Sequence, residues 1–112
     1  MKRHLYLFGY ESPVEREENI EHGTDFESSS AFWVEAESAD EALRWGREVS
    51  DAMVREYFLR GDWAQDIPSW KEAGFAHWIE DNPPPEFTPE YLSNLLVVRQ
   101  GEMPTDLGWL MR

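Results

Sequence analysis

The 112-residue chain carries 23 Asp and Glu against 10 Lys and Arg, a net charge of −13 at pH 7, with 41% hydrophobic residues and no cysteine. That length accommodates one domain, expected to span residues 1–112. The charge argues against a classical nucleic-acid binder and against docking on anionic lipid, and the missing cysteines exclude a disulfide scaffold, a thiolate zinc site and a cysteine nucleophile.

Residues 4–10 read as a strand, with Leu5 and Leu7 on one side and Tyr6, Phe8 and Tyr10 on the other. Both faces are apolar, which predicts a central position in a sheet. The same run is too short, and too early broken by Gly9, for a secretory signal. With no stretch approaching a membrane span, the expectation is a soluble cytoplasmic protein.

Residues 11–30 differ in composition. Glu11, Glu15, Glu17, Glu18, Glu21, Asp25 and Glu27 oppose only Arg16, and Pro13, Gly23 and Ser28-Ser29-Ser30 punctuate the stretch. These signals predict a long, solvated acidic loop, with its flexibility left open.

Residues 31–37 alternate: Phe32, Val34 and Ala36 on one face, Trp33, Glu35 and Glu37 on the other. A half-buried strand follows from that period of two. Ser38, with Glu41 three residues on, forms the signature of a capping box. Ala42, Trp45, Gly46, Val49, Ala52, Met53 and Tyr57 then recur at helical spacing, which predicts a helix over 39–60 ended by Gly61. Gly46 on its apolar stripe implies close approach to a sheet. Four-residue spacing predicts ion pairs Asp40–Arg44, Arg44–Glu48, Arg47–Asp51, Asp51–Arg55 and Glu56–Arg60.

In 62–74, Trp63, Ile67 and Trp70 can cover core, and Pro68-Ser69 can open a short helix through Ala73. Residues 75–80 read as a third strand, and Pro83-Pro84-Pro85 as extended polyproline. Thr88-Pro89 is a helix start. Leu95–Gln100 is either a continuation of that helix or a fourth strand, the β-branched run favouring strand. Trp109-Leu110-Met111 is too apolar for a free end and predicts docking on the core. The sum is an α+β domain of two layers: a small, mostly antiparallel sheet of three to four strands on one long helix, plus short C-terminal helical turns.

A strand running into Ser38-x-x-Glu41-Ala42-Leu43 resembles the strand-to-capped-helix junction of small antitoxins of the HicB type. The likeness spans a minor part of the chain and brings no functional residues with it.

The chemistry in the sequence is sparse. No phosphate-binding glycine loop, dinucleotide fingerprint or nucleophile elbow is present, so no catalytic residue and no cofactor is assigned. His22 and Asp25 are too few to define a metal site, and none is expected. His4 reads as a structural histidine. Serines 28–30 lack a partnered base.

Three functional readings follow. The favoured one is an acidic protein-binding domain that occludes a basic partner, such as a toxin nuclease or another nucleic-acid-binding protein, in the manner of an immunity protein, an antitoxin or a DNA mimic. Its expected contacts are Glu15, Glu17, Glu18 and Glu21 in the acidic segment and Trp33, Glu35 and Glu37 on the sheet. The second is a small enzyme or ligand-binding protein using His77 with a carboxylate, Glu80 or Asp81. The third is a structural homodimer that buries the Trp33 face.

Overall fold

The computed structural model describes residues 1–61 and 67–112. Its elements in chain order are β1 (Lys2–Tyr10), α1 (Pro13–His22), β2 (Ser28–Ala36), α2 (Ala39–Leu59), α3 (Trp70–Ala73), β3 (His77–Glu80), α4 (Pro89–Ser93), β4 (Val97–Arg99) and a closing 3-10 turn, Gly108–Met111. The strands form one sheet in the order β3-β1-β2-β4. β1 is antiparallel to β2 and to β3, and β2 is parallel to β4. This is the α+β architecture the sequence pattern predicts, with β1 flanked on both sides.

Register sorts the side chains. Tyr6 opposes Phe32 and His4 opposes Val34, so the aromatic side of β1 and the Phe32–Val34–Ala36 side of β2 form one surface. α2 covers it, burying Ala42, Val49, Met53, Val54 and Phe58 in the same cluster. Transfer of this much apolar surface out of water is the main stabilising contribution. Trp70 of α3 closes the cluster, its indole N–H donating to the Gly9 carbonyl at 2.8 Å and its ring meeting Phe8 edge-on. Ile67 packs on its edge; Trp63 lies outside the described residues.

Gly46 marks the closest approach of α2 to the sheet. A Cβ there would sit 2.3 Å from Cδ2 of Tyr6, so only glycine lets the helix lie on that ring. Ser38 caps α2 by accepting from the Glu41 N–H at 3.2 Å. Glu41 makes no return bond, so only half of the predicted box forms. Of the five predicted ion pairs on this helix, Glu56–Arg60 closes, at 2.7 Å; Glu48 turns instead to Lys71.

The opposite face of the sheet has a partial cover. Leu5, Leu7 and Ala31 cluster with Leu95, and Trp33, Phe87, Leu92 and Trp109 pack around them. The segment from Phe87 to Leu95 therefore lies over this face, and the apolar C-terminus docks as expected, the Trp109 indole donating to the Ala31 carbonyl at 3.2 Å.

Three expectations are corrected. The predicted loop 11–30 contains a ten-residue helix, α1, and β2 begins at Ser28. The polyproline stretch ends in a turn, with the Phe87 N–H bonded to the Pro84 carbonyl at 2.9 Å, an arrangement that suits proline at the second turn position. Leu95 and Leu96 belong to neither helix nor strand, so the fourth strand is only the three residues of β4.

Candidate functional site

α1 is held by its ends. Ser12 and Glu15 form a full capping box: the Glu15 N–H donates to Ser12 Oγ at 3.2 Å and the Ser12 N–H to Glu15 Oε1 at 2.8 Å. Pro13 occupies the first helical position, where its missing N–H costs nothing. Gly23 terminates the helix at φ 64°, its N–H bonded to the Asn19 carbonyl. Asn19 then anchors the return strand. Its Nδ2 donates to the Phe26 carbonyl at 2.8 Å and to Glu11 Oε2 at 2.6 Å, and its Oδ1 accepts from the Phe26 N–H and the Thr24 hydroxyl.

Packing contributes little to this helix. Among its residues only Pro13 is buried, and it forms no extended contact with another described helix or strand. Helical periodicity places Val14, Glu17, Glu18 and Glu21 on one outward face, and all four are exposed. Glu15, Arg16 and Asn19 are partly buried on the inner side. The apolar residues of the segment point into solvent: Val14 is 53% exposed, Ile20 69% and Phe26 55%.

The predicted contacts therefore separate. Glu17, Glu18 and Glu21 share one presented face, and Glu21 approaches the His22 ring at 4.0 Å. Glu15 is engaged inward, by Ser12 and by the Ser28 hydroxyl at 2.9 Å. On the sheet, Glu35 lies between two guanidinium groups, Arg3 at 3.3 Å and Arg99 at 3.7 Å. Trp33 is partly buried among the second cluster, its indole N–H donating to the Leu92 carbonyl at 2.8 Å. Glu37 is exposed at the entry to α2, its N–H bonded to Gln100 Oε1. The sequence thus named two groups of contacts, and the structure brings together only the three carboxylates of α1.

His77 does not meet Glu80. It lies opposite Phe8 on the α2 side, whereas Glu80 lies opposite Leu5 on the other face and accepts from the Trp78 indole there. Alternation along β3 forces this separation. The partner of His77 is Tyr6, whose hydroxyl is 3.0 Å from Nδ1 and 3.2 Å from the buried Ser50 hydroxyl. Burial pushes the His77 pKa below its ordinary value, and the Arg47 charge adds to this. Burial likewise raises the Tyr6 hydroxyl far above the usual tyrosine range. Nδ1 of His77 is thus engaged by a phenol that also meets the buried Ser50 hydroxyl, which makes this nitrogen part of a structural network.

Among the described residues, no group of three or more His, Asp or Glu side chains could hold a metal ion, and His22 and Asp25 gain no third ligand. No described helix is long and apolar enough to cross a membrane. The exposed apolar residues of α1 and its return loop escape sequence reasoning; the signal that would have found their helix is Ser12-Pro13-x-Glu15, the same capping pattern recognised at Ser38. In comparisons with known proteins, no family model, no curated protein and no solved structure matches the chain, so the HicB-like junction stays a local likeness.

Proposed function

We propose that the chain is a small acidic protein-binding domain whose α1 docks on a basic partner and occludes it. The observation that carries this reading is a helix fixed by caps rather than by packing, which presents Glu17, Glu18 and Glu21 together and leaves Val14, Ile20 and Phe26 in water. A helix that buries almost nothing adds little to the stability of its own domain. Exposed apolar groups and exposed carboxylates on one short segment match the composition of a docking surface, in which apolar contact supplies affinity and charge supplies steering. Trp33, Glu15 and Glu35 leave the contact set of this reading because each is partly buried, whereas Glu17, Glu18 and Glu21 lie exposed on the outward face of α1.

The partner that fits is a protein with a cationic cleft, of the kind that binds nucleic acid. Carboxylates on a rigid helix then stand in for phosphates, the mode of an immunity protein, an antitoxin or a DNA mimic. The test compares partner capture by the native chain and by the Glu17→Lys/Glu18→Lys/Glu21→Lys variant, with association kinetics on any protein retained. The native chain is expected to retain basic proteins at low salt and release them at high salt. The variant is expected to associate at least about tenfold more slowly with little change in dissociation. Equal capture by both chains overturns the proposal.

A further inference from the structure

Polar contacts run in series through the core between β3 and α2. The Tyr6 hydroxyl lies 3.0 Å from Nδ1 of His77 and 3.2 Å from the Ser50 hydroxyl, and Ser50 Oγ lies 3.1 Å from the Arg47 carbonyl oxygen. The series starts on the edge strand β3, crosses the central strand β1 and ends on the long helix. Tyr6 and Ser50 are fully buried, where a hydrogen bond left unmade is costly.

Counting hydrogens gives the series a direction. Each hydroxyl carries one, and the carbonyl carries none. Three contacts need three hydrogens, so the imidazole has to supply the third. Ser50 then donates to the Arg47 carbonyl, whose second lone pair is free beside its helical bond. Tyr6 donates to Ser50, and Nδ1 of His77 donates to Tyr6. Any arrangement in which Nδ1 accepts fills only two of the three contacts. The other ring nitrogen, Nε2, makes no hydrogen bond among the described residues, and it is not one of the side-chain atoms cut off from solvent without a partner.

We propose that these contacts form one directed chain, from His77 through Tyr6 and Ser50 to the Arg47 carbonyl, which fixes the neutral imidazole in its Nδ1–H form and presents the Nε2 lone pair as the atom that takes up protons. The hydrogen bond at one ring nitrogen decides the state of the other. Protonation then adds its hydrogen at Nε2 and leaves all three bonds in place. A chain running the other way would break at Nδ1 on protonation. The titratable and charged groups that face the ring are Tyr6 from β1 and Arg47 from α2; α3 contributes Trp70, uncharged and edge-on at 5.8 Å. The clamp between β3 and α2 therefore keeps the same hydrogen bonds in both charge states. No residue of α1 takes part, so this inference and the docking proposal stand or fall separately.

The test records long-range proton–nitrogen correlations of the histidine rings in the isotope-labelled full chain, at a pH well above the His77 midpoint. The exposed His22 serves as the internal reference. His77 is expected to favour the Nδ1–H form at least about tenfold, the weight of one buried hydrogen bond. Through an acid titration its Nε2 resonance is expected to carry the large shift. Ser50→Ala removes the acceptor of the Tyr6 hydrogen, which then turns to Nδ1, so His77 is expected to change to the Nε2–H form. Tyr6→Phe removes the partner of Nδ1 and is expected to return His77 to the mixture seen at His22. A predominant Nε2–H form in the native chain, which needs no variant to detect, overturns the proposal. So does an Nδ1–H population that Ser50→Ala leaves unmoved.

Discussion

Tyr6 shows how one residue couples packing to polarity. Its ring is fully buried against Gly46, and its hydroxyl bridges Ser50 and His77. Because the hydroxyl is tied at both sides, the ring cannot swing aside for a new methyl group. Gly46→Ala should therefore destabilise the protein by overpacking, about 1–3 kcal/mol, against about 1 kcal/mol gained in helix propensity. A melting temperature equal to or above that of the native chain would contradict this. His77 supplies a second prediction at this scale. Its pKa is lowered in the fold, so as pH falls below about 6.5 the unfolded chain takes up the proton first. The associated stability is complete above that pH and is lost as pH falls through the folded value. His77→Gln should flatten this part of the profile, measured by urea unfolding at stepped pH. Arg47→Gln should raise the His77 midpoint in an NMR titration yet leave it below the ordinary value, because burial is the larger cause.

At the scale of the element, α1 and α2 are helices for opposite reasons. α2 has a continuous apolar stripe and is held by the sheet. α1 has no such stripe, and ten residues alone are marginal in water; its capping box, the glycine at its end and the Asn19 hub supply the order. Ser12→Ala removes one cap, at about 1 kcal/mol. The consequence is expected to be local: amide exchange in 13–22 should accelerate about fivefold or more, with the global melting temperature nearly unchanged. Asn19→Ala should do the same and also detach Phe26. If either change lowers global stability as much as Gly46→Ala does, α1 is part of the core and its role as a presented element fails.

At the scale of the molecule, the surplus of carboxylates acts on folding and on binding with opposite signs. Self-repulsion works against the compact chain, so moderate salt should raise the melting temperature by screening it. The same screening should weaken capture of a basic partner. Melting and association measured across one salt series should therefore diverge; a parallel loss of both would mean that paired charges, such as Glu35 between Arg3 and Arg99, dominate the fold. The covered side of the sheet bears on assembly. Trp33 lies against the Phe87–Leu95 segment, so a homodimer through this residue would have to form over a face that this segment already partly covers. Sedimentation should accordingly show no self-association centred on Trp33, and Trp33→Phe should lower stability by about 1 kcal/mol through the lost bond to Leu92.

The period of the apolar residues determined the first two strands, the long helix and its covered face, because burial follows directly from which side of an element repeats, whereas residues 95–100 stayed open between helix and strand until pairing with β2 picked out Val97–Arg99. Local chemistry determined the caps at Ser38 and Thr88 and the tight contact at Gly46 for the same reason: the partners lie within a few residues or are implied by a missing side chain. What only the tertiary structure decided depends on pairs distant in the chain. Register placed His77 opposite Phe8 and Glu80 opposite Leu5, and so parted a histidine from the carboxylate three residues away. Glu35 met two arginines from neighbouring strands, and Trp33 met a carbonyl 59 residues on. Composition could count the acidic groups. Only the fold could place Glu35 between two arginines of neighbouring strands and set Glu17, Glu18 and Glu21 on one exposed helix face.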